Sequence, residues 1–218
     1  MMRLINGNCL EELKKLTDEN IIIVTDPPYN MNYHYRSYKD KLKEEDYYKM
    51  LCDVFKDKPF VCIHYPESLY KLCGLLNRYP DRVVSWVYNS NTGKQHRDIA
   101  FVGVKPDFKK VLQPYKNTTD KRIKARIERG ILGGKLYDWW NINQVKNVSK
   151  EKTAHPCQIP LEVMMNIIGI LPDDVVIVDP FMGSGTTGVA SKKLNKKFIG
   201  IELDGEYFRI AKERIEKS

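Results

Sequence analysis

A run of β-branched residues leads into a glycine-containing turn in the stretch Val175-Val176-Ile177-Val178-Asp179-Pro180-Phe181-Met182-Gly183-Ser184-Gly185-Thr186-Thr187. Residues 175–178 predict a buried strand, and residues 186–194 predict the helix that follows it. Gly183 and Gly185 allow the backbone of the turn to approach a ligand closely, and open α/β sheets bind ligands at the carboxyl ends of their strands. The stretch therefore predicts a parallel α/β sheet with a ligand site at this turn.

Strands and helices alternate along the rest of the chain. The other predicted strands are residues 21–24, 60–63, 83–88, 99–104 and 197–201, and the other predicted helices are residues 11–16, 46–55, 66–77, 160–171 and 206–216. This alternation indicates an α/β fold with a mostly parallel twisted sheet and helices on both faces. We predict a single domain over residues 1–218, with a small basic insert at about residues 105–150.

The composition is that of a globular protein. Hydrophobic residues make up 42% and charged residues 29% of the 218 residues, and no apolar run approaches the roughly 20 residues of a membrane span. The five cysteines include no Cys-x-x-Cys pair, which argues against a disulfide framework and a zinc site. The first residues show no apolar secretion signal. We therefore expect a cytoplasmic protein with no membrane contact and no metal site.

The positive charge of the chain is concentrated in one segment. Residues 105–150 contain 12 Lys and Arg against 4 Asp and Glu, a surplus equal to the +8 net charge of the whole chain. This favours a polyanion such as nucleic acid as the partner, although a solvated lysine-rich face has the same composition. The candidates for phosphate contact are Lys109, Lys110, Lys121, Arg122, Lys124, Arg126 and Arg129. Aromatic residues in the segment either stack on bases or fill a small core, and for Trp139 and Trp140 we favour the core.

The glycine turn alone is open to three interpretations. A phosphate-binding loop requires a lysine where Thr186 stands. A dinucleotide site requires Gly-x-Gly-x-x-Gly, which Gly183, Gly185 and Gly188 satisfy, but this spacing is weak evidence by itself. The third interpretation is a tight strand-to-helix turn without a ligand.

Two acids favour a nucleoside ligand. Asp179 ends the strand before the turn and can accept hydrogen bonds from a cationic amine, such as the ammonium group of S-adenosylmethionine. Glu202 ends the next predicted strand, about 20 residues later, where an acid is well placed for ribose hydroxyls.

The second informative motif is Asp26-Pro27-Pro28-Tyr29, which follows the buried run 21–24. Each proline fixes φ and lacks an N–H, so the turn is stiff and can aim the Asp26 carboxylate and the Pro27 carbonyl at one point. Two acceptors suit an amino group with two protons, and Tyr29 offers a flat face on which a base can stack. A base inside a duplex has to be flipped out to reach such a site. The alternative is a proline turn that ends the strand, with Tyr29 as a rim aromatic.

The loop after this turn, residues 30–43, is polar, aromatic and basic. We expect Tyr33 and Arg36 of this loop to contact DNA, and we hypothesise that the loop closes over the flipped base. His34 is interpreted as a polar loop residue rather than a catalytic base.

Several motifs, in their order along the chain, resemble those of the DNA amino-methyltransferases, which act on adenine N6 or cytosine N4. They are Asn6-Gly7-Asn8-Cys9-Leu10, Asp26-Pro27-Pro28-Tyr29, His155-Pro156-Cys157-Gln158-Ile159-Pro160, the stretch from Asp179 to Thr187, and Gly200-Ile201-Glu202 with Asp204. The resemblance covers most of the chain. It is to the subgroup in which the catalytic motif precedes the target-recognition region and the cofactor motif comes last. Asn8 stands where an acid is usual, and Ile159 replaces a lysine.

This resemblance implies a Rossmann-like class I methyltransferase fold with a circularly permuted motif order. It implies S-adenosylmethionine as the methyl donor and double-stranded DNA as the partner of a homodimer. The catalytic residues that it implies are Asp26, Pro27, Pro28 and Tyr29. The residues that it implies for the cofactor are Asn8, Cys9, Asp26, His155, Gln158, Asp179, Phe181, Gly183, Ser184, Gly185, Thr186, Thr187, Glu202, Leu203 and Asp204.

The resemblance also implies direct transfer of the methyl group to the base nitrogen, without a covalent enzyme intermediate. Members with Asp in the first catalytic position usually act on adenine, whereas Ser there is more usual for cytosine, so Asp26 favours adenine N6. The alternatives are methylation of cytosine N4 or of an RNA base, and a catalytically silent DNA-binding module. The intact catalytic and cofactor motifs argue against the silent module.

Overall fold

The computed structural model describes residues 1–17 and 20–218. The strands are β1 (Met2–Asn6), β2 (Ile21–Thr25), β3 (Phe60–His64), β4 (Arg82–Val87), β5 (His96–Val102), β6 (Leu112–Gln113), β7 (Gly134–Lys135), β8 (Trp139–Asn141), β9 (Val176–Asp179) and β10 (Lys197–Glu202). The helices are α1 (Cys9–Leu13), α2 (Glu44–Phe55), α3 (Pro66–Leu76), α4 (Lys121–Glu128), α5 (Leu161–Gly169), α6 (Thr186–Lys193) and α7 (Gly205–Glu216). Among these helices, none combines the length and the apolar character that crossing a bilayer requires.

Eight strands form one sheet in the order β1-β10-β9-β2-β3-β5-β4-β8. Strand β5 is antiparallel to its neighbours β3 and β4, and the other pairings of this sheet are parallel. Strands β2 and β3 are buried along their whole length, because helices cover both faces, and such strands appear in sequence as continuous apolar runs. The predicted α/β class with a mostly parallel sheet is confirmed.

The sheet separates two apolar cores. On one face, Ile22 and Val24 of β2 share a core with Ile167 of α5 and with side chains of α6 and α7. On the other face, Ile23 belongs to a core with Leu51 of α2 and with side chains of α3. Alternate residues of one short strand therefore hold helices on opposite faces of the sheet.

Strands β9 and β2 are neighbours near the centre of the sheet, with Ile23 paired to Val178. The chain continues from β9 into α6 on one face, and from β2 into α2 on the other face. Open α/β sheets bind ligands where connections diverge in this way, beyond the carboxyl ends of the strands. Asp179 ends β9 and Asp26 directly follows β2, so the fold brings the two predicted acids to the same edge.

The basic segment 105–150, which we expected as a small insert, returns to the main sheet near its end. It contains the strand pair β6–β7 and helix α4, followed by β8, which pairs with β4 and sets Trp140 beside Trp86. Trp140 is buried, in agreement with the core interpretation, but that interpretation is wrong for Trp139, which is 46% exposed because successive residues of a strand point to opposite faces. The segment therefore also completes one edge of the eight-stranded sheet.

Candidate active site

A cleft opens at the carboxyl ends of β9, β2 and β10, with an empty volume of about 1070 Å³ that includes open solvent. The predicted cofactor residues that line it are Asn8, Cys9, Asp26, His155, Asp179, Phe181, Gly183, Ser184, Thr186, Thr187, Glu202, Leu203 and Asp204. Within the described residues, Gly185 and Gln158 are predicted cofactor residues that do not line it. Motifs that are far apart in the sequence thus meet in one cleft.

Three hydrogen bonds fix Asp179 at the end of β9. Its carboxylate accepts from the hydroxyls of Thr25 and Thr187, both at 2.6 Å, and from the Phe181 N–H at 3.1 Å. Burial nevertheless raises the pKa of Asp179 to about 6. A carboxylate has about four lone-pair sites, so one remains for a ligand, and a nearby cation would offset the cost of the buried charge. This environment fits the ammonium group of S-adenosylmethionine.

The turn after β9 requires glycine at two positions. Gly183 has a φ of +51°, and a Cβ there would lie 3.0 Å from His155 Nε2. Its N–H donates to Glu202 Oε2 at 2.8 Å. Gly185 has a φ of +77° directly before α6, and a Cβ there would lie 3.0 Å from the Cβ of Ala211. Gly185 therefore packs against helix α7, and this position explains why it does not line the cleft.

Two acids at the end of β10 are held by backbone N–H groups. Glu202 accepts from Gly183 through one oxygen and from the Asp204 N–H, at 2.9 Å, through the other. Asp204 caps α7 by accepting from the N–H groups of Glu206 and Tyr207, at 2.9 and 3.0 Å. Each Glu202 oxygen keeps a lone pair, so this carboxylate is oriented and can still accept hydrogen bonds from ribose hydroxyls.

The departure at Asn8 has a structural explanation. Asn8 is the N-cap of α1, and its side-chain oxygen accepts from the Leu10 N–H at 2.9 Å. Asn and Asp cap helices about equally well, so Asn can replace the usual acid and still cap the helix. Beside it, burial raises the pKa of Cys9 to about 11, which makes Cys9 a neutral thiol at this end of the cleft.

Asp26 opens into the same cleft as Asp179. Burial raises the pKa of Asp26 to about 6, although the guanidinium of Arg97 and a hydrogen bond from Tyr29 oppose the rise. That bond runs from the Tyr29 hydroxyl to Asp26 Oδ1. The Tyr29 ring lies 4.3 Å from the His64 ring, centroid to centroid, and 4.9 Å from the centre of the Arg97 guanidinium. Tyr29 therefore packs between Asp26, His64 and Arg97, and it is not among the described residues that line the cleft; stacking of a base on its ring stays a prediction.

Side chains from α2 and β3 contact the turn formed by residues 26–29. The Tyr47 hydroxyl donates to the Pro28 carbonyl at 2.9 Å and lies 2.7 Å from His64 Nε2. Burial lowers the pKa of His64 to about 3, so the ring is neutral. Neither residue was predicted as part of the site, because each occupies an ordinary position of a buried helix or strand pattern.

One of the two polar residues predicted from the His155-Pro156-Cys157-Gln158 motif faces the cleft. Burial lowers the pKa of His155 to about 4, so a neutral ring lines the wall. The Gln158 amide instead accepts from the Thr153 N–H at 2.9 Å and donates to the Glu151 carbonyl at 2.6 Å. Gln158 thus holds the loop that carries His155.

The loop 30–43 covers part of the cofactor cleft, which sequence reasoning did not anticipate. Its residues Tyr35, Ser37 and Tyr38 line the cleft, and the Ser37 hydroxyl donates to Asp204 Oδ2. The buried Asp40 holds the loop by accepting from the N–H groups of Asn30, Met31 and Tyr33 at 2.8, 3.1 and 2.9 Å. Closure of this loop over a flipped base stays a prediction.

We expect Asp40→Ala to weaken S-adenosylmethionine binding by about tenfold, because three N–H groups lose their acceptor and the cleft wall loosens, at a cost of about 1–3 kcal/mol. Isothermal titration calorimetry measures this directly. Asp57→Ala, which removes an exposed carboxylate outside the loop, is the matched control and should bind like the unmodified protein. Equal affinities for all three proteins would show that Asp40 does not order the cleft.

The residues predicted to contact DNA are exposed. They are Tyr33 and Arg36 in the loop 30–43, and Lys109, Lys110, Lys121, Arg122, Lys124, Arg126 and Arg129 in the segment 105–150. Lys110 pairs with Asp173 at 2.8 Å and Arg122 pairs with Asp120 at 3.3 Å. The charged groups of Lys121, Lys124 and Arg126, here called the α4 cluster, have no carboxylate within 4.0 Å in the described part of the chain.

Comparison with known proteins agrees with the geometry of the cleft. A family model described as DNA methylase matches residues 21–213. The type II methyltransferase M.HpaI of Haemophilus parainfluenzae is 28% identical over 98% of this chain and 74% of its own length. The DNA adenine methyltransferase YhdJ of Escherichia coli K12 is 26% identical over 98% of this chain and 82% of its own length.

A solved structure supports the assignment of the cofactor. The complex of M1.HpyAVI with S-adenosylmethionine has a TM-score of 0.61 and 25% sequence identity, covering 98% of this chain and all of that one. The family model spans strand β2 to helix α7, which includes Asp26, Asp179 and Glu202. This chain is thus a member of the N6/N4 DNA methylase family, a DNA methyltransferase that takes its methyl group from S-adenosylmethionine.

Proposed function

We propose that this protein methylates the N6 atom of adenine in double-stranded DNA, by direct transfer to a flipped-out base. The observation that carries the proposal is the position of Asp26. Its half-buried carboxylate lines the cleft that also contains Asp179 and Glu202, so an amino-group acceptor lies beside the residues that suit the methyl donor. A target base that reaches Asp26 is thereby brought next to the cofactor.

The residues of the turn would act on the base amino group. S-adenosylmethionine supplies an electrophilic methyl on its sulfonium sulfur. The Asp26 carboxylate and the Pro27 carbonyl would accept the two amino protons and direct the nitrogen lone pair at that methyl. As the N–C bond forms and the C–S bond breaks, the electron pair of the C–S bond stays on sulfur and positive charge develops on nitrogen. Asp26 stabilises this charge and, with its pKa of about 6, suits acceptance of the released proton.

Two observations favour adenine over cytosine. The first catalytic position is Asp26, as in the adenine-specific members that the motif resembles, and a relative named as a DNA adenine methyltransferase aligns over 98% of this chain. Cytosine N4 is the second candidate because it offers the same amino group to the same two acceptors. A silent DNA-binding role is a weaker alternative because the cleft contains both motifs, and methylation of an RNA base is a weaker one because the matching family is described as DNA methylase.

Transfer of labelled methyl groups distinguishes these functions. The protein is incubated with labelled S-adenosylmethionine and, separately, duplex DNA, single-stranded DNA or RNA of mixed sequence, and the products are digested to nucleosides. Label in N6-methyldeoxyadenosine from duplex DNA is the expected result. Label in N4-methyldeoxycytidine would change the target base, and transfer to no nucleic acid would overturn the proposal. Sequencing of the methylated positions then identifies the target site.

The α4 cluster is the part of the basic segment best suited to DNA phosphates, because its charges have no acidic partners among the described residues. We expect the triple variant Lys121→Gln, Lys124→Gln, Arg126→Gln to bind duplex DNA more weakly. The slope of log affinity against log salt concentration should fall by about one unit for each phosphate that the variant no longer neutralises. Fluorescence anisotropy at several salt concentrations measures both quantities.

The matched control removes three basic residues from the end of the chain around helix α7: Arg209→Gln, Lys212→Gln, Lys217→Gln. These side chains already pair with Glu206, Glu213 and Glu216, so the salt slope should stay unchanged. An equal reduction in slope by both triple variants would show that DNA binding depends on the overall charge of the protein rather than on α4.

The homodimer and the cytoplasmic location stay predictions, and light scattering tests the first.

A further inference from the structure

Arg97 lies at the edge of the sheet where ligands bind, although no sequence motif marks it. Strand β5 is antiparallel to its neighbours, so its first residues stand beside the last residues of β3 and β4. Asp98 pairs with His64, and Arg97 pairs with Trp86. Because Asp26 follows the end of β2, two strands away, Arg97 and Asp26 share the carboxyl-end edge of the parallel strands, which is the usual position of ligands in open sheets.

Four aromatic rings surround the Arg97 guanidinium. Its central carbon lies 4.9 Å from the ring centre of Tyr29, 5.3 Å from Trp86, 5.6 Å from Tyr88 and 5.7 Å from Tyr65. We call these four rings the aromatic box. Such rings supply flat apolar faces, and their electron-rich surfaces attract a cation. The four rings therefore hold the guanidinium in place beside the turn that contains Asp26.

The donors of Arg97 are incompletely used. Its Nε is buried and has no hydrogen-bond partner in the described part of the chain. Among the same residues, no carboxylate lies within ion-pair distance of the guanidinium. Buried donors are almost always satisfied in folded proteins, whereas this Nε lacks a partner although the Arg97 side chain as a whole is half-buried. A cation kept in this state next to the catalytic turn points to a ligand that supplies the acceptor.

The aromatic box lies apart from the cofactor cleft. Asp26 and Pro28 line that cleft, whereas none of Arg97, Tyr65 and Trp86 belongs to its described lining. Tyr29 connects the two regions, because its hydroxyl donates to Asp26 and its ring faces Arg97. Asp26 is thus bordered by the cofactor cleft on one side and by a guanidinium within an aromatic box on another.

We propose that Arg97 binds the target base, by donating a hydrogen bond to the ring nitrogen next to the carbon that carries the amino group. This inference rests on the proposed function. Asp26 accepts from the amino group, and Arg97 donates to its neighbour. An acceptor beside a donor matches the amino group and N1 of adenine, or the amino group and N3 of cytosine. Guanine and thymine present a carbonyl and an N–H in the corresponding positions, so the same pair would reject them.

Atom replacement in the base tests this contact. Once the target site is mapped, duplexes are made that carry adenine, 1-deazaadenine or 7-deazaadenine at the target position, or 3-deazacytosine if the target is cytosine. Single-turnover methylation and equilibrium binding are measured for the unmodified protein and for Arg97→Met. We expect the unmodified protein to lose about 10- to 100-fold in rate when the accepting nitrogen is replaced. Arg97→Met should be slow on the natural base by a similar factor and nearly insensitive to the replacement.

Further variants separate binding from folding. Arg82→Met removes another guanidinium that lies over an aromatic ring, 5.4 Å from the centre of Phe108, and should keep the full penalty for the analogue. Arg97→Lys keeps a cation in the box and provides the comparison if Arg97→Met lowers the melting temperature. The inference is overturned if the analogue penalty is as large in both Arg97 variants as in the unmodified protein. Transfer to no nucleic acid by the unmodified protein is a different outcome, which refutes the proposed function.

Discussion

Asp26→Ala is expected to lower the single-turnover rate of methyl transfer by about a thousandfold, the size of effect seen when a group that stabilises developing charge is removed. The variant loses the charged acceptor of an amino proton, while Asp179 and Glu202 keep their own hydrogen bonds in the cofactor cleft. Cofactor affinity should therefore change little. Rapid-quench kinetics with saturating S-adenosylmethionine measures the rate, and calorimetry measures the affinity.

Two further variants show whether a loss of methyl-transfer rate comes from the charge of Asp26. Asp26→Asn keeps an oxygen acceptor and removes the charge, so it should fall between Asp26→Ala and the unmodified protein. Asp53→Ala removes an exposed carboxylate from helix α2 and should leave the rate unchanged. A rate for Asp26→Ala within tenfold of the unmodified protein would remove Asp26 from the catalytic machinery.

The second large effect is expected at the turn before α6. Gly185→Ala places a side chain on a backbone with a φ of +77°, with its Cβ 3.0 Å from the Ala211 Cβ and 3.1 Å from the Ala211 Cα. The left-handed backbone costs an L-residue about 1–2 kcal/mol, and pushing against the backbone of α7 adds about 1–3 kcal/mol. We expect the free energy of unfolding to fall by about 2–5 kcal/mol, with a clear loss of cofactor affinity. Urea denaturation and calorimetry measure the two effects.

Gly74→Ala is the matched control for this glycine. Gly74 lies in α3, and a Cβ there would have no atom within 4 Å. Alanine is the better helix former by about 1 kcal/mol, so Gly74→Ala should be neutral or stabilising. A Gly185→Ala protein as stable as Gly74→Ala would contradict the view that the turn is packed against α7.

The central strands and the cofactor motif could be predicted from the sequence because their chemistry is local. The runs at residues 21–24 and 175–178 are apolar throughout, since both faces of those strands are covered. Asp179, Gly183 and Glu202 stand at strand ends or in the turn between them, where function dictates residue type. Each of these signals lies within a short window of sequence.

The aromatic box and β8 could not be predicted in this way. Tyr29, Tyr65, Trp86 and Tyr88 come from different loops and strands, and only the register of β4 and β5 brings the tryptophan beside Arg97. The strand containing Arg97 begins at His96, three residues before the predicted start. The prediction missed these three residues because they are polar. Strand β8 has three residues, too few to show a period. Arg97 lies two positions before Ile99, so both side chains are on the same face of the strand. A charged residue on the face of a buried apolar residue was the one sequence feature that could have indicated Arg97 as a site residue.

Thr25 links the Asp179 part of the active site to the Asp26 part. Its hydroxyl donates to Asp179 at 2.6 Å, and the next residue along the chain is Asp26. Thr25 therefore orients the carboxylate that we propose for the methyl donor, and it directly precedes the turn that we propose for the target base. The Asp26 motif could be exchanged between family members in order to alter the target base. Such an exchange would have to include the residue at position 25. The smallest transferable module of this enzyme thus extends across two neighbouring strands, β2 and β9, rather than along one motif.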